Sequence, residues 1–566
     1  MRVTFLGHAG LYVETNGGSV LCDPWFNPAY FASWFPFPSN ADLDVEAIAH
    51  PDYLYISHLH RDHFDREFLA ENVSRAATVL LPDFPLDELQ RELADLGFSR
   101  FELLPNASPV DLDGLRLMCV TETSPSDGPL GDSALALDDG SARILDQNDA
   151  RPRDLGALRG FGSYDAHFLQ FSGAIWYPAV YELPDAVKAD LGKQKRQRGM
   201  DRAAGFAAAL GSANVFPVAG PACFLDDSLF AYNDLYGDDS NPFPDQVAFL
   251  AHLRAQGCDT GKLVVPGSVV SLVDGTCEVR HLDPEAAMAP FLDKAAYLES
   301  YRLRQMSLIE EARSTWPLGT LDVLAELASW WEPLMAQADS LCPQIEAPVL
   351  LQVGELDVVL DFAARQVRRH AGEHCPYRFK MDPAVVEASI AEHSNDWVNG
   401  LFLSMRFTAE RDGPYNEHIY TFFKCLSKER MAYVEERAAG LVPQSHARPP
   451  VGGRSSARRG GQDEWCRLDG WLVQGRCPHL QGDLSRFGRV CDGVLTCLVH
   501  GWQFDLATGR CLTSGEEGAI QARRLSEAEV EAELGAAPAG SGAAPSGSGA
   551  APSGSGAAPS GSERSV

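Results

Sequence analysis

The chain has few basic residues for its size. Lys and Arg total 47 against 78 Asp and Glu, which gives a formal net charge of −31. A protein that binds nucleic acid normally presents a basic face that replaces counterions, so this acidic surplus argues against a nucleic-acid partner. A local basic pocket for a phosphorylated small molecule is still compatible with the composition.

Long apolar runs are also lacking, since no stretch approaches the roughly 20 residues needed to span a bilayer. The start, MRVTFLGHAG, lacks the charged segment, apolar run and cleavage site of a signal peptide. The thirteen cysteines are an odd number scattered along the chain, which does not suggest a secreted disulfide framework. We therefore expect a protein of the reducing cytoplasm that does not associate with a membrane.

The composition is otherwise that of folded domains, with 45% hydrophobic and 22% charged residues, and 566 residues suffice for about three to five domains. Residues 1–240 alternate short apolar strands with turns, as in an α/β layer structure. Residues 241–440 mix longer helical stretches with strands, and form either a separate α+β domain or an extension of the first. A segment rich in Pro, Gly, Ser and Arg predicts a linker at 441–461. A compact module at 462–526 follows, and GAAPSGS repeats predict a disordered tail at 535–566.

A first group of potential metal ligands follows the predicted strand DYLYIS. His58, His60, Asp62 and His63 place three imidazoles and a carboxylate within six residues. Burying such groups on one loop is costly unless a metal compensates for their desolvation. The alternative is a surface loop that happens to be rich in histidine.

The pattern His-X-His-X-Asp-His after a strand resembles the signature of the metallo-β-lactamase fold. This resemblance implies an αββα sandwich in which His58 and His60 bind one metal, and Asp62 and His63 bind a second. The opening GHAG and the later CDPW resemble the branch of that superfamily that contains lactonases and N-acyl phospholipid hydrolases.

The same fold usually adds a bridging Asp and two further histidines. Asp149 follows a strand as the bridging residue would, and Asp146 is the second choice. The histidine expected before it is missing, because the corresponding position is Ser124, flanked by Glu122 and Asp127, with Asp132 further on. The last histidine is also missing from FPVAGPACFLDD, and His167 is either a ligand or a hydrogen-bonded core residue. Carboxylates in place of histidines favour iron or manganese over zinc, without excluding zinc.

A second group lies downstream of the predicted linker. Cys477-Pro-His479 is separated by residues 480–496 from Cys497-Leu-Val-His500. Two Cys and two His in paired loops suit a structural zinc. The loops, the following Gly-Trp and the ATGRC turn instead resemble a small all-β Rieske domain of the oxygenase and ferredoxin type. That resemblance implies a [2Fe–2S] cluster with the cysteines on one iron and the histidines on the other.

The two groups together resemble the CMP-N-acetylneuraminate hydroxylase family. CDPW, DYLYISHLHRDHFD, LQFSGAIWYP and NDWVNGLFLSMRF fall in that family's order across about residues 1–430. In the animal enzymes the Rieske domain precedes the catalytic body, whereas here it follows. An acidic residue expected before SGAIWYP is replaced by Gln170.

The resemblance implies a monooxygenase that uses O₂ to hydroxylate a small metabolite, such as the N-acyl group of a nucleotide sugar or an amine or amide nitrogen. It implies mono- or dinuclear non-heme iron at His58, His60, Asp62, His63 and Asp149, with Asp62, His63 and Asp149 catalytic. No G-x-G-x-x-G dinucleotide motif follows a strand, so we expect an external ferredoxin or flavin reductase to supply electrons.

Two other functions remain open at this point. One is a metallohydrolase of a lactone, ester or phosphodiester with a redox-sensing Rieske domain. The other is an electron-transfer module with an inactive body.

Two further features each have two interpretations. The basic stretch holding Lys188, Lys193, Lys195, Arg196, Arg198 and Arg202 is either a phosphate site or a solvated helix face. The aromatic residues Trp25, Trp34, Trp176 and Tyr177 either line a pocket or belong to the core.

Overall fold

The alternating apolar residues of the first 280 residues form two sheets in the computed structural model, which describes residues 1–123, 131–441 and 465–526. The described strands of these sheets are β1 Arg2–Gly7, β2 Gly10–Thr15, β3 Gly18–Cys22, β4 Tyr53–Tyr55, β5 Thr78–Pro82, β6 Phe101–Leu104, β7 Val110–Leu112, β8 Leu115–Glu122, β9 Asp132–Asp138, β10 Arg143–Asn148, β11 Ala166–Gln170, β12 Val215–Val218, β13 Val269–Val273 and β14 Thr276–Arg280. The first sheet has the order β14-β13-β1-β2-β3-β4-β5-β6, and the second β12-β11-β10-β9-β8-β7.

The inner faces of the two sheets share one apolar core. Phe5 and Leu11 from the first sheet pack in this core with Leu135 and Phe168 from the second. The strands β3 to β6 pair in parallel, and β1 runs in the same direction as β3 because both pair antiparallel with β2. The carboxyl ends of β1 and β4 therefore meet at the same edge of the sheet, which is where ligands bind in such sheets.

Helices cover both outer faces of this pair of sheets. They are α1 Arg66–Asn72 and α2 Glu88–Asp95 on the first sheet, and α3 Gly156–Phe161, α4 Asp185–Leu210 and α5 Gln246–Ala255 on the second. The predicted αββα sandwich is confirmed.

The following residues build a third layer structure. Its helices and strands are α6 Pro284–Leu292, α7 Lys294–Ser314, α8 Val323–Gln337, β15 Val349–Val353, β16 Leu356–Asp361, β17 Gln366–Arg369, β18 Tyr377–Met381, α9 Pro383–Ala391, β19 Phe407–Arg411, α10 Glu417–Lys424 and α11 Lys428–Ala438. The five strands join in the order β17-β16-β15-β18-β19. A buried ion pair between Glu88 of α2 and Arg430 of α11, with N–O distances of 2.8 and 2.5 Å, holds this part against the sandwich.

The small carboxyl-terminal module is built from two short three-stranded sheets. Its elements are β20 Trp465–Leu468, β21 Trp471–Gln474, α12 Leu484–Phe487, β22 Gly488–Cys491, β23 Val494–Cys497, β24 Gln503–Asp505 and β25 Ala522–Arg524. Phe487 of α12 packs on Phe206 of α4, with ring centroids 4.9 Å apart. This contact seats the module on α4, beside the edge of the second sheet.

Aspartates begin many of the helices. Asp65, Asp245, Asp322 and Asp382 each accept a hydrogen bond from a backbone N–H in the first turn of the helix that follows. Such caps satisfy backbone donors that have no partner within the helix. Part of the acidic surplus therefore serves helix termini.

Some predictions fall on residues that the structure does not describe. Ser124 and Asp127 lie outside the described residues, as do the predicted tail 535–566 and, apart from Leu441, the predicted linker 441–461. Contacts group residues 1–523 into one unit and assign the remainder to another. Among the described residues, no helix combines the length and apolar character required to cross a bilayer.

Candidate metal centres

The loop after β4 brings the first two histidines of the motif together with a carboxylate from β9. His58 Nε2 lies 2.8 Å from His60 Nδ1 and 3.8 Å from Asp132 Oδ1. Asp132 is placed here because β9 runs antiparallel to β10, so the start of β9 lies beside the end of β10. These three side chains form the first group of potential ligands, with donor atoms within 4.8 Å of one another.

A second group forms around the other half of the motif. His8, in the turn between β1 and β2, places its Nε2 3.0 Å from Asp62 Oδ2. His63 completes a set whose donor atoms also lie within 4.8 Å of one another. The meeting of the ends of β1 and β4 explains why a histidine 50 residues upstream reaches this loop.

Asp149 lies between the two groups. Its Oδ1 is 3.6 Å from His63 Nε2, and it forms a third set of potential ligands with His58 and His63. The position of Asp149 directly after β10 matches the bridging role predicted for it. That role stays a prediction.

Neighbouring buried side chains fix the orientation of the candidate ligands. Asp23 Oδ2 lies 2.7 Å from His63 Nδ1, which directs Nε2 of that ring towards Asp149. Ser57 donates to the same carboxylate, and the Tyr30 hydroxyl donates to Asp62 at 2.5 Å. Supporting hydrogen bonds of this kind orient metal ligands and set the tautomer of histidines.

Two features of these side chains suit the binding of metal ions. Within the described residues, His63 Nε2 and Asp149 Oδ1 are buried without a hydrogen-bond partner, although buried polar atoms are nearly always paired. Burial lowers the pKa of His58 to about 3 and that of His60 to about 4, so both rings are neutral at pH 7. Neutral imidazoles offer the lone pair that a metal requires.

The carboxylates support the same conclusion. Burial, together with the charges of Asp62 and Asp132, raises the pKa of Asp149 well above its usual value. Several acidic groups so close together in a buried site repel one another unless a cation lies between them. Three carboxylates among the candidate ligands make the site rich in hard oxygen donors, which suit iron or manganese.

The structure brings together every residue predicted for the first site, and it adds two that the motif did not assign. Asp132 and His8 stand where further ligands were missing. His167 is in none of the ligand groups, because Ser212 and Gln147 occupy its two ring nitrogens at 3.0 and 2.9 Å. Asp146 is also outside these groups. Of the candidates near the missing last histidine, Asp226 instead forms an ion pair with Arg406 at 2.9 Å.

In the small module the four predicted cluster ligands lie at the ends of two adjacent loops. Cys477 and Cys497 are buried and interact through their thiols, and the pKa of Cys477 is raised by this hydrogen bond and by burial. The rings of His479 and His500 are 5.3 Å apart. His479 Nδ1 is buried without a partner, which leaves it available to an iron.

The other nitrogen of His479 contacts the body of the protein. His479 Nε2 lies 3.1 Å from Glu417 Oε2, at the start of α10. The His479 ring also stacks on Trp502, with centroids 4.0 Å apart. Glu417 and Trp502 thus fix the orientation of the ring and leave Nδ1 free of protein hydrogen bonds among the described residues, which suits a cluster ligand.

One cavity of about 490 Å³ connects the two constellations. Its lining includes side chains of the first site on one side and the two cluster histidines on the other; these residues are His58, His60, Asp132, Asp149, His479 and His500. Trp176 and Tyr177 also line it, whereas Trp25 and Trp34 are core residues with about 1% exposure.

Family models match three parts of the chain. A Beta-lactamase superfamily domain matches residues 2–128, and a Rieske [2Fe-2S] domain matches residues 469–522. The predicted cluster-binding domain is thereby confirmed. A third model, the Rv3818-like, SCP2-like domain, matches residues 323–439, a relationship that the sequence patterns did not indicate.

A relative in Mycobacterium tuberculosis (strain H37Rv), the Rieske 2Fe-2S iron-sulfur protein Rv3818, is 45% identical over 524 residues. The alignment covers 91% of this chain and 98% of that protein. The chain belongs to the Rv3818-like family of Rieske iron–sulfur proteins. The alignment with this relative extends over nearly the whole length of both chains.

The similarity to sialic-acid hydroxylases is much more limited. The inactive cytidine monophosphate-N-acetylneuraminic acid hydroxylase of Homo sapiens is 29% identical over 87 residues, which is 15% of this chain and 16% of that protein. Among solved structures, CmlA, a diiron beta-hydroxylase from Streptomyces venezuelae, is 18% identical and covers 50% of this chain and 54% of its own, with a TM-score of 0.33. A likeness this weak carries no information about function.

Proposed function

We propose that the protein is a Rieske-dependent non-heme iron monooxygenase that hydroxylates a small metabolite. One observation carries the proposal. The candidate ligands His58, His60 and Asp149 line the same cavity as the cluster histidines His479 and His500. A substrate in this cavity would contact both centres, an arrangement that a hydrolase does not need.

In this proposal each group of ligands holds one metal ion. His58, His60 and Asp132 hold the first, and His8, Asp62 and His63 hold the second, with Asp149 between them. When bound, the cluster supplies single electrons and the iron supplies oxygen activation. The presence of two complete groups supports a dinuclear rather than a mononuclear centre.

The chain's own side chains then have defined tasks. Asp23 keeps the His63 ring in one tautomer, and Tyr30 holds Asp62 in place. Glu417 and Trp502 fix the ring of His479 at the wall of the cavity. Fixed ligands reduce the reorganisation that accompanies electron transfer and substrate binding.

The substrate and the electron donor are finer parts of the proposal. Hydroxylation of the N-acyl group of a nucleotide sugar, or of an amine or amide nitrogen, follows from the hydroxylase resemblance. An external ferredoxin or flavin reductase is the proposed donor because the sequence lacks a G-x-G-x-x-G motif after a strand.

Metal, sulfide and oxygen measurements on the purified full chain test the proposal. We expect about two acid-labile sulfides per chain and iron in excess of two. Reductant should then drive oxygen consumption that Cys497→Ser abolishes. Cys491→Ser is the matched control, because Cys491 is exposed and lies outside the ligand loops.

Two results would count against the monooxygenase proposal. Zinc alone at the first site, with no oxygen consumption, would contradict the proposal. Turnover of an ester, lactone or phosphodiester under anaerobic conditions without reductant would support hydrolysis instead.

A further inference from the structure

One side of the cavity is lined by cations. Lys195 and Arg198 reach it from α4, Arg151 from the loop after β10, and Arg411 from the end of β19. This concentration of positive charge occurs in a chain whose formal net charge is −31. It therefore does not follow from the composition and needs its own explanation.

None of these four cations forms an ion pair with a carboxylate within the described ranges. Arg151 donates to the neutral Gln170 at 3.2 Å, and Arg198 donates to the neutral Gln194 at 3.1 Å. The Nε of Arg151 is buried and has no hydrogen-bond partner in the part of the chain that the structure describes.

The other two cations lie against aromatic rings. Lys195 Nζ is 5.4 Å from the ring centre of Tyr177, and the Arg411 guanidinium is 5.8 Å from the same ring. Such cation–π contacts stabilise a positive charge without neutralising it. These side chains therefore keep their positive charges, although the wall of the cavity also carries the carboxyl groups of Glu122, Asp132, Asp149 and Glu417.

Two basic residues of α4 that do not line the cavity form ion pairs. Lys193 is exposed and pairs with Asp239 at 2.5 Å, and Arg196 is buried and pairs with Asp234 at 3.0 Å. Lys188 instead donates to the backbone oxygen of Ala179 at 3.1 Å. The fold thus provides carboxylate partners for Lys193 and Arg196 but none, within the described residues, for the cavity-lining Lys195 and Arg198.

The unpaired cations repel one another at close range. Burial, and then the charges of Arg198, Arg151, Arg202 and Arg411, lower the pKa of Lys195 to about 8. Gathering like charges in a partly buried site costs free energy that a bound anion would recover. Guanidinium groups also present paired N–H donors that match the oxygens of carboxylates and phosphates.

We propose that this cavity binds a small molecule bearing an oxyanion, carboxylate or phosphate, which Lys195, Arg198 and Arg411 hold. Trp176 and Tyr177 pack against its apolar part. The identification of this ligand as the substrate rests on the proposed oxygenase function, because the candidate iron ligands line the same cavity. Binding of the anion itself does not depend on that function.

Isothermal titration calorimetry of the metal-loaded full chain tests the proposal. The probes are phenyl phosphate and phenylacetate, with benzyl alcohol and phenylacetamide as neutral counterparts. We expect at least one anion to bind and both neutral compounds to bind much more weakly. Binding of only one anion supports the proposal and identifies which oxyanion is recognised.

Variants of α4 decide whether the named cations are responsible. Lys195→Gln should weaken anion binding about 10- to 100-fold, the range typical for losing a hydrogen bond to a charged group. Arg198→Gln should act in the same direction, and Lys195→Arg should retain binding. Lys193→Gln removes the same charge from the same helix outside the cavity and should leave the affinity unchanged.

Three results would overturn the inference. They are equal affinity for the neutral probes, no binding of either anion, and unchanged anion affinity in both Lys195→Gln and Arg198→Gln. The last result would place the anion on the metal alone. Because calorimetry needs no turnover, a chain that binds anions but consumes no oxygen would contradict the oxygenase function and leave the binding site intact.

Discussion

Glu417→Gln is the perturbation that most directly examines how the body of the protein acts on the cluster. Glu417 Oε2 lies 3.1 Å from His479 Nε2, so a carboxylate contacts a predicted ligand of the cluster. Reduction adds negative charge to the cluster, and the nearby carboxylate opposes that charge. Removing the carboxylate charge should therefore raise the reduction potential.

The size of this shift follows from the strength of the contact. A hydrogen bond to a charged group contributes about 1.5–3 kcal/mol and a neutral one about 0.5–1.5 kcal/mol, so the change in charge is worth about 1.5 kcal/mol. Since about 1.4 kcal/mol corresponds to 59 mV for one electron, the potential should rise by up to about 60 mV. Gln retains an oxygen acceptor, so the side chain keeps its size and contact.

A redox titration followed by the visible circular dichroism of the cluster measures this shift. Glu429→Gln is the matched control, because Glu429 is exposed and pairs with Arg91 of α2 rather than with a predicted cluster ligand. Its potential should equal that of the unmodified chain. A reduction potential that is unchanged or more negative in Glu417→Gln would show that the Glu417 carboxylate does not oppose reduction of the cluster.

Three further predictions concern the metal site, the cavity and the fold. Asp132→Asn should lower the iron content by about one ion per chain at constant sulfide, measured by mass spectrometry, because one charged donor is lost; unchanged iron would exclude Asp132 as a ligand. The affinity for whichever of the two anions binds should fall as the pH rises above 8, since Lys195 then loses its charge; a flat calorimetric profile would contradict this. Arg430→Met removes the guanidinium that pairs with the buried Glu88 carboxylate. It should lower the free energy of unfolding, measured by urea denaturation, by about 3–5 kcal/mol. Arg91→Gln breaks an exposed ion pair between the same two helices and should lower the free energy of unfolding by about 1 kcal/mol or less. Equal losses of stability in the two variants would contradict the difference expected between a buried and an exposed ion pair.

The parts of the site that lie close together in the sequence could be predicted from it. His58, His60, Asp62 and His63 are delivered by one strand and its loop, so their spacing alone indicates convergence. The paired Cys and His loops of the Rieske domain are equally local. The family model confirmed the Rieske domain, and its four cluster ligands stay a prediction.

The remaining candidate ligands depend on strand order, which no local pattern specifies. His8 reaches the site because β1 and β4 end at the same edge, and Asp132 because β9 begins where β10 ends. His167 shows the converse case. It lies within β11 of the second sheet, but Ser212 and Gln147 occupy both of its ring nitrogens.

The basic stretch shows why composition left two interpretations open. Lys195 and Arg198 are three residues apart and share one face of α4, whereas Lys193 and Arg196 face other partners. The helical period therefore separates Lys195 and Arg198, which line the cavity, from Lys193 and Arg196, which are ion-paired, while Lys188 and Arg202 belong to neither pair. Only the position of the cavity shows which of these residues can contact a ligand in it.

The proposed oxygenase function requires that electrons stored in the cluster reach metal held by the first site. Stopped-flow absorbance of the reduced, iron-loaded chain mixed with oxygen measures how fast the cluster is reoxidised. We expect rapid reoxidation in the unmodified chain and slow reoxidation in His60→Ala, which keeps the cluster and loses a candidate ligand of the first site. Equal rates in the two proteins would contradict the proposed function, because oxygen would then react with the cluster independently of the first site.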